Sequence, residues 1–168
     1  GNGGGQVGGI STSAGGFIKA TTNTANVKVT GYTANQNASL NEAGVWLQGA
    51  GVISGVGGTL EMTGYSSSRA NSAGMTLANN ATVSGLTGSI TGWGTVNLVG
   101  QNLRDSYGDA ININTTVSST GNMTIQSIGG RVNQIGGSIN AARLTIDNTG
   151  AGLTSLIADA GAGLSAGA

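Results

Sequence analysis

The stretch from Gly57 to Gly85, GGTLEMTGYSSSRANSAGMTLANNATVSG, decides the fold. Apolar and polar residues alternate through Leu60-Glu61-Met62, break on small residues, and alternate again through Met75-Thr76-Leu77. Alternation with a period of two is the mark of a strand with one buried face. The flanking sequence repeats it. Four more triplets share the form: Val27-Lys28-Val29, Val96-Asn97-Leu98, Met123-Thr124-Ile125 and Leu144-Thr145-Ile146. Counting Leu60, their first members are 33, 36, 27 and 21 residues apart.

The surroundings repeat as well. VKVTGYT (27–33) and LEMTGYS (60–66) continue alike, and VNLVGQN (96–102) follows them. A second family lies between: AGVWLQGAGVISG (43–55) matches AGMTLANNATVSG (73–85) along its length, and DAININTTVSSTG (109–121) matches over its first half. Near the C-terminus a 21-residue period aligns Met123 with Leu144, Ile125 with Ile146, Gly129 with Gly150 and Val132 with Leu153.

Strands this short do not stand alone. Stacking solves the problem: each strand pairs with its equivalent one repeat away, at ~4.7–4.9 Å, and inward Val, Leu, Ile and Met form columns. The expected fold is all-β, a right-handed parallel β-helix (β-solenoid). Six to seven coils are expected, with polar loop insertions at 33–43, 66–73 and 101–109. The chain reads as one domain: a Gly-rich first coil or cap over 1–25, repeating coils over 26–157, and a Gly/Ala-rich tail over 158–168.

Composition agrees. Gly makes up 33 of 168 residues and Pro is absent, as suits tight corners and unbroken ladders. The only aromatics are Phe17, Tyr32, Trp46, Tyr65, Trp93 and Tyr107, which fits an interior too narrow for large rings. Lys plus Arg equal Asp plus Glu at six each, so there is no electrostatic case for nucleic acid or an anionic membrane. No apolar run reaches bilayer-spanning length.

Catalytic chemistry finds little material. With no His and no Cys, Ser-His and Cys-His nucleophile systems and soft metal sites are excluded. The closest acidic pair, Asp105 and Asp109, could hold a cation if a loop brought the carboxylates together, but Arg104 beside them opposes that; the pair reads as a solvated turn, with Asp109 supporting the corner before AININ. No enzyme activity, cofactor or metal is expected.

Outward positions are the better candidates. Lys28, Glu61, Asn97, Thr124 and Thr145 fall in one column, placing Lys28 beside Glu61. Trp46, Thr76 and Asn112 fall in a second; Trp46 alternates out of the core and is either a stacking platform or covered by a neighbouring loop. The candidate contact surface is Trp46, Tyr65, Arg69, Arg104 and Tyr107. Asn37, Asn80, Asn114 and Asn122 begin Asn-x-Ser/Thr sequons.

The runs 43–66 and 73–100, with GNMTIQSIGGRVNQIGGSINAARLTIDNTG (121–150), resemble the repeats of filamentous-haemagglutinin-like exoproteins, over about residues 26–157. The resemblance implies a secreted or surface-anchored adhesin of a Gram-negative bacterium or cyanobacterium. Its partners would be a host or neighbouring-cell surface, a glycan or matrix. The expected role is a rigid rod segment presenting loops. Alternatives are a self-assembling filament subunit and a carbohydrate-binding module.

Overall fold

The computed structural model describes residues 7–12, 16–34, 42–48, 51–67, 72–78, 88–103, 109–149, 156–158 and 163–166. Every regular element among them is a β-strand, and every strand pairing is parallel. The chain lays its strands down in tiers. The first holds β1 (Val7–Thr12), β2 (Phe17–Lys19) and β3 (Asn26–Thr33). The second holds β4 (Glu42–Gln48), β5 (Val52–Ser54) and β6 (Thr59–Ser66). The third holds β7 (Ser72–Ala78), β8 (Ser89–Trp93) and β9 (Thr95–Asn102). In the fourth, β10 (Asp109–Ser119) spans two positions and β11 (Asn122–Ile128) takes the third. β12 (Arg131–Ala141) and β13 (Arg143–Thr149) repeat that arrangement, and β14 (Leu156–Ala158) and β15 (Gly163–Ala166) come last.

Two sheets result. One runs β3-β6-β9-β11-β13. The other joins β1, β4, β7 and the start of β10 to β2, β5 and β8 through the length of β10, and continues through β12 to β14 and β15.

The triplets stack in register. Val27 pairs with Leu60, Leu60 with Val96, Val96 with Met123, and Met123 with Leu144. Their inward side chains, with those of the facing sheet, form one apolar core: Leu60, Met62, Val96, Leu98, Met123 and Ile125 meet Leu47, Met75, Leu77, Ile111, Ile113 and Ile90. Each such fully buried side chain contributes roughly 1.5–3 kcal/mol, which is what a chain without disulfides has to rely on.

The Gly of the TGY motif has a structural cause. Gly31, Gly64 and Gly100 form one column, and opposite them lie Gly44, Gly74 and Ala110 of the other sheet. A Cβ on Gly31 would land on the Gly44 carbonyl, and one on Gly64 on the Gly74 carbonyl. The two sheets touch backbone to backbone here, and a side chain would force them apart.

Several sequence expectations change. The match of 43–55 to 73–85 holds only through its first half: Val45 pairs with Met75 and Leu47 with Leu77, but Ile53 pairs with Ile90, not Val83. Ten residues separate β7 from β8 where three separate β4 from β5, and this difference of seven shifts the pairing. Val132 pairs with Leu156 rather than Leu153, because the connection after Thr149 is longer than the Gly129-Gly130 corner. Within the 1–25 region, expected as a coil or cap, β1 pairs with β4 and β2 with β5. The 158–168 tail contains β15, with Leu164 beside Ile139.

The interior also takes a large ring. Trp93 is fully buried, and its Nε1 donates to the Ile53 carbonyl at 3.3 Å. Room for the indole comes from Gly55, where a Cβ would meet the ring; beside it in β8, Gly92 takes a φ of 79° and lies against the Gly55 carbonyl.

Candidate functional site

Three of the longer connections share one corner. After β3, β6 and β9 the chain leaves the ladder at the same register position, since Thr33, Ser66 and Asn102 form one column. From there it runs through 34–41, 67–71 and 103–108 to the next strand. These are the three expected insertions, at a common phase. Where no insertion is present, between β11 and β12, Gly129-Gly130 suffices.

The base of the corner is polar and buried. Thr33, Ser66 and Asn102 all point inward with almost no solvent exposure. The Ser67 N–H donates to the Thr33 carbonyl at 3.0 Å, and the Leu103 N–H to the Ser66 carbonyl at 2.8 Å. The ladder thus carries one rung past each strand before the insertions diverge. Asn102 does more. Its Nδ2 donates to the Ser72 carbonyl at 3.0 Å and to the Asp109 carbonyl at 3.4 Å. One buried amide ties the exit of β9 to the starts of β7 and β10, so both ends of segment 103–108 are fixed.

Asp109 secures the return. Arg131 Nε donates to its Oδ1 at 2.6 Å, and Asn133 Nδ2 to its Oδ2 at 3.2 Å. The pair is only part-exposed, 35% for Arg131 and 19% for Asp109. Asp109 is therefore a tier-to-tier tie rather than a solvated turn residue. Its partner Arg131 lies 22 residues on, and no local motif points to it.

Tyr32 and Tyr65 stand in register on the outer face beside this corner, followed by Gln101. Tyr65 is half-buried under its neighbours, whereas Tyr32 is 56% exposed and its hydroxyl lies 2.9 Å from Ser67 Oγ. The expected column of Lys28, Glu61, Asn97, Thr124 and Thr145 is present. Lys28 Nζ sits 3.7 Å from Glu61 Oε2, both largely in solvent.

Trp46 is in register with Thr76, and Thr76 with Asn112, as the sequence places them. It is only 6% exposed and offers no open ring face. It lies apart from the main core, so the indole is covered on the outer side of its sheet. Arg69, Arg104 and Tyr107 lie outside the described residues, as do Asn37 and Asn80. Of the other sequons, Asn122 is exposed at the start of β11, and Asn114 is half-buried with its Oδ1 against Gly136.

Three connections thus leave one register position, and segment 103–108 among them is flanked at both ends by buried hydrogen bonds and an ion pair. No protein-family model, no curated protein and no solved structure matches the chain.

Proposed function

We propose that this chain is a rod segment of a secreted or cell-surface bacterial adhesin or matrix protein. It winds as a right-handed parallel β-helix and presents the 34–41, 67–71 and 103–108 segments from one edge. The observation that carries this reading is the shared departure point of all three, at Thr33, Ser66 and Asn102, in an in-register ladder. A stiff repeat scaffold sets the spacing, and its loops carry contacts that vary without disturbing the core. The resemblance to filamentous-haemagglutinin-like repeats points the same way, to an extracellular setting and a cell-surface, glycan or matrix partner.

One alternative loses ground on a particular observation: a glycan platform built on Trp46 lacks an open indole face.

The test shortens each of the three segments to a two-residue Gly-Gly corner, as between β11 and β12, and measures far-UV circular dichroism, particle shape and binding to cell surfaces. Rods that keep their strands and lose binding support the reading. Undiminished binding with all three corners shortened would sink it.

A further inference from the structure

Every register shift in the described ladders involves β10. Ala110 and Ile135 are extra residues between β10 and β12, and β8 carries an extra residue opposite the Val117–Ser119 step. Bulges are uncommon in parallel ladders. The ladders between the third and fourth tiers are also cut short. β7 pairs with β4 from its first residue, Ser72, but with β10 only from Met75, opposite Ile111. β9 pairs with β6 over its whole length, Thr95 to Asn102, but with β11 only from Val96 to Gln101.

A side chain bridges the gap. Ser72 and Asp109 both lie before the first paired rung of β7 and β10. There Asn102 Nδ2 donates to the Ser72 carbonyl at 3.0 Å and to the Asp109 carbonyl at 3.4 Å, the second bond being long. Asn102 is only 1% exposed. Behind it the boundary is closed by Met75 and Leu77 against Ile111 and Ile113, all fully buried. Apolar contacts are non-directional, so they allow a small tilt that a full set of rungs would resist.

We infer that the boundary between β7–β9 and β10–β11 is a joint in the stack, with Asn102 as its latch. In stacked repeats stability is a sum of unit and interface terms, so the interface with the shortest ladders opens first. The joint bears on the presenting edge. Ser72 and Asp109 are the residues at which the chain re-enters the stack after 67–71 and 103–108. The first two re-entry residues, Glu42 and Ser72, are ladder partners. The spacing from Ser72 to Asp109 is set by the Asn102 amide instead, so it is the adjustable one. This deepens the rod reading above and rests on its tiered stack.

The experiment follows exchange of individual backbone amides by NMR on the whole chain, over urea concentrations below the unfolding transition. Amides bonded from β7 to β10 and from β9 to β11 should exchange about tenfold or more faster than those bonded from β6 to β9. Their urea dependence should be shallower, because the opening exposes less surface than global unfolding does. Asn102→Leu keeps the shape and loses the donor; it should speed the boundary amides by about a further tenfold. Asn102→Ser, which copies Ser66 in the same column, serves if the first variant does not fold. Leu60→Ala, two tiers from β10, is the control. It should speed the β6–β9 amides by about tenfold or more and leave the boundary amides within about twofold, because Leu60 stays packed when the joint opens.

The joint is overturned if boundary and β6–β9 amides share one rate and one urea slope, or if Leu60→Ala speeds both sets alike. The latch is overturned if both Asn102 variants leave boundary exchange unchanged. No binding partner enters the measurement, so a failed cell-binding test leaves the joint standing. Unprotected amides throughout β6 and β9 would instead refute the tiered stack.

Discussion

Gly64 and Gly74 touch across the two sheets so closely that a Cβ on the first would occupy the position of the second's carbonyl oxygen. The same holds one tier earlier for Gly31 and Gly44. This contact sets how the sheets converge beside the insertion corner, and it explains why TGY in one repeat family answers AG in the other. Gly64→Ala should therefore destabilise the chain by about 1–3 kcal/mol through overpacking, although Ala is ordinarily better tolerated in strands than Gly. Urea denaturation followed by circular dichroism measures it. A neutral Gly64→Ala would mean the sheets are free to separate there.

The two tryptophans separate a buried fold from an exposed platform. Trp46 and Trp93 are the only indoles, and both are buried. Native fluorescence should be blue-shifted and nearly insensitive to iodide, and both properties should change together on unfolding. Trp46→Ala should lower stability by about 3–5 kcal/mol, the usual cost of emptying a buried aromatic site. Strong iodide quenching of a Trp93→Phe variant, in which Trp46 is the lone reporter, would show that Trp46 stands open.

Much of this architecture was readable from the residues, for a physical reason. A stacked strand faces its own repeat, so one alternating triplet declares its neighbours; hence the register of Val27, Leu60, Val96, Met123 and Leu144 and the Lys28–Glu61 contact. What could not be read lies where the repeat is interrupted. Nothing in AGMTLANNATVSG announces that Ile53 will pair with Ile90, because both alignments place a β-branched apolar residue inward. The Asp109–Arg131 tie escapes for the same reason: charge pairs across tiers depend on loop length, which periodicity does not encode. Trp46 was placed in the right column and on the right face, but alternation says only that a side chain leaves the core, not whether something covers it.

The Asp109–Arg131 pair should matter more than the Lys28–Glu61 pair. Asp109 accepts two hydrogen bonds, from Arg131 and Asn133, in a part-buried setting. Asp109→Ala should cost about 1–2 kcal/mol, and Asp109→Asn less, because it keeps an acceptor for Arg131. A double-mutant cycle on Lys28 and Glu61 should give a coupling of only ~0–1 kcal/mol that disappears in high salt. Equal couplings for the two pairs would contradict the difference in their surroundings.

Position along the stack should grade the cost of removing an inward side chain. Leu98 and Ile146 occupy the same column, two rungs apart, and differ in what covers them: among the described residues Leu98 is flanked by Met62 and Ile125, and Ile146 by Ile125 alone. Leu98→Ala should cost about 2–5 kcal/mol, since the strands on either side hold the cavity open. Ile146→Ala should cost well under half as much, because part of its surface is already in water and the site can relax outward. Thermal and urea denaturation of the two variants at matched protein concentration give the comparison. If the two costs are equal, Ile146 is covered in solution and its rung is an interior one.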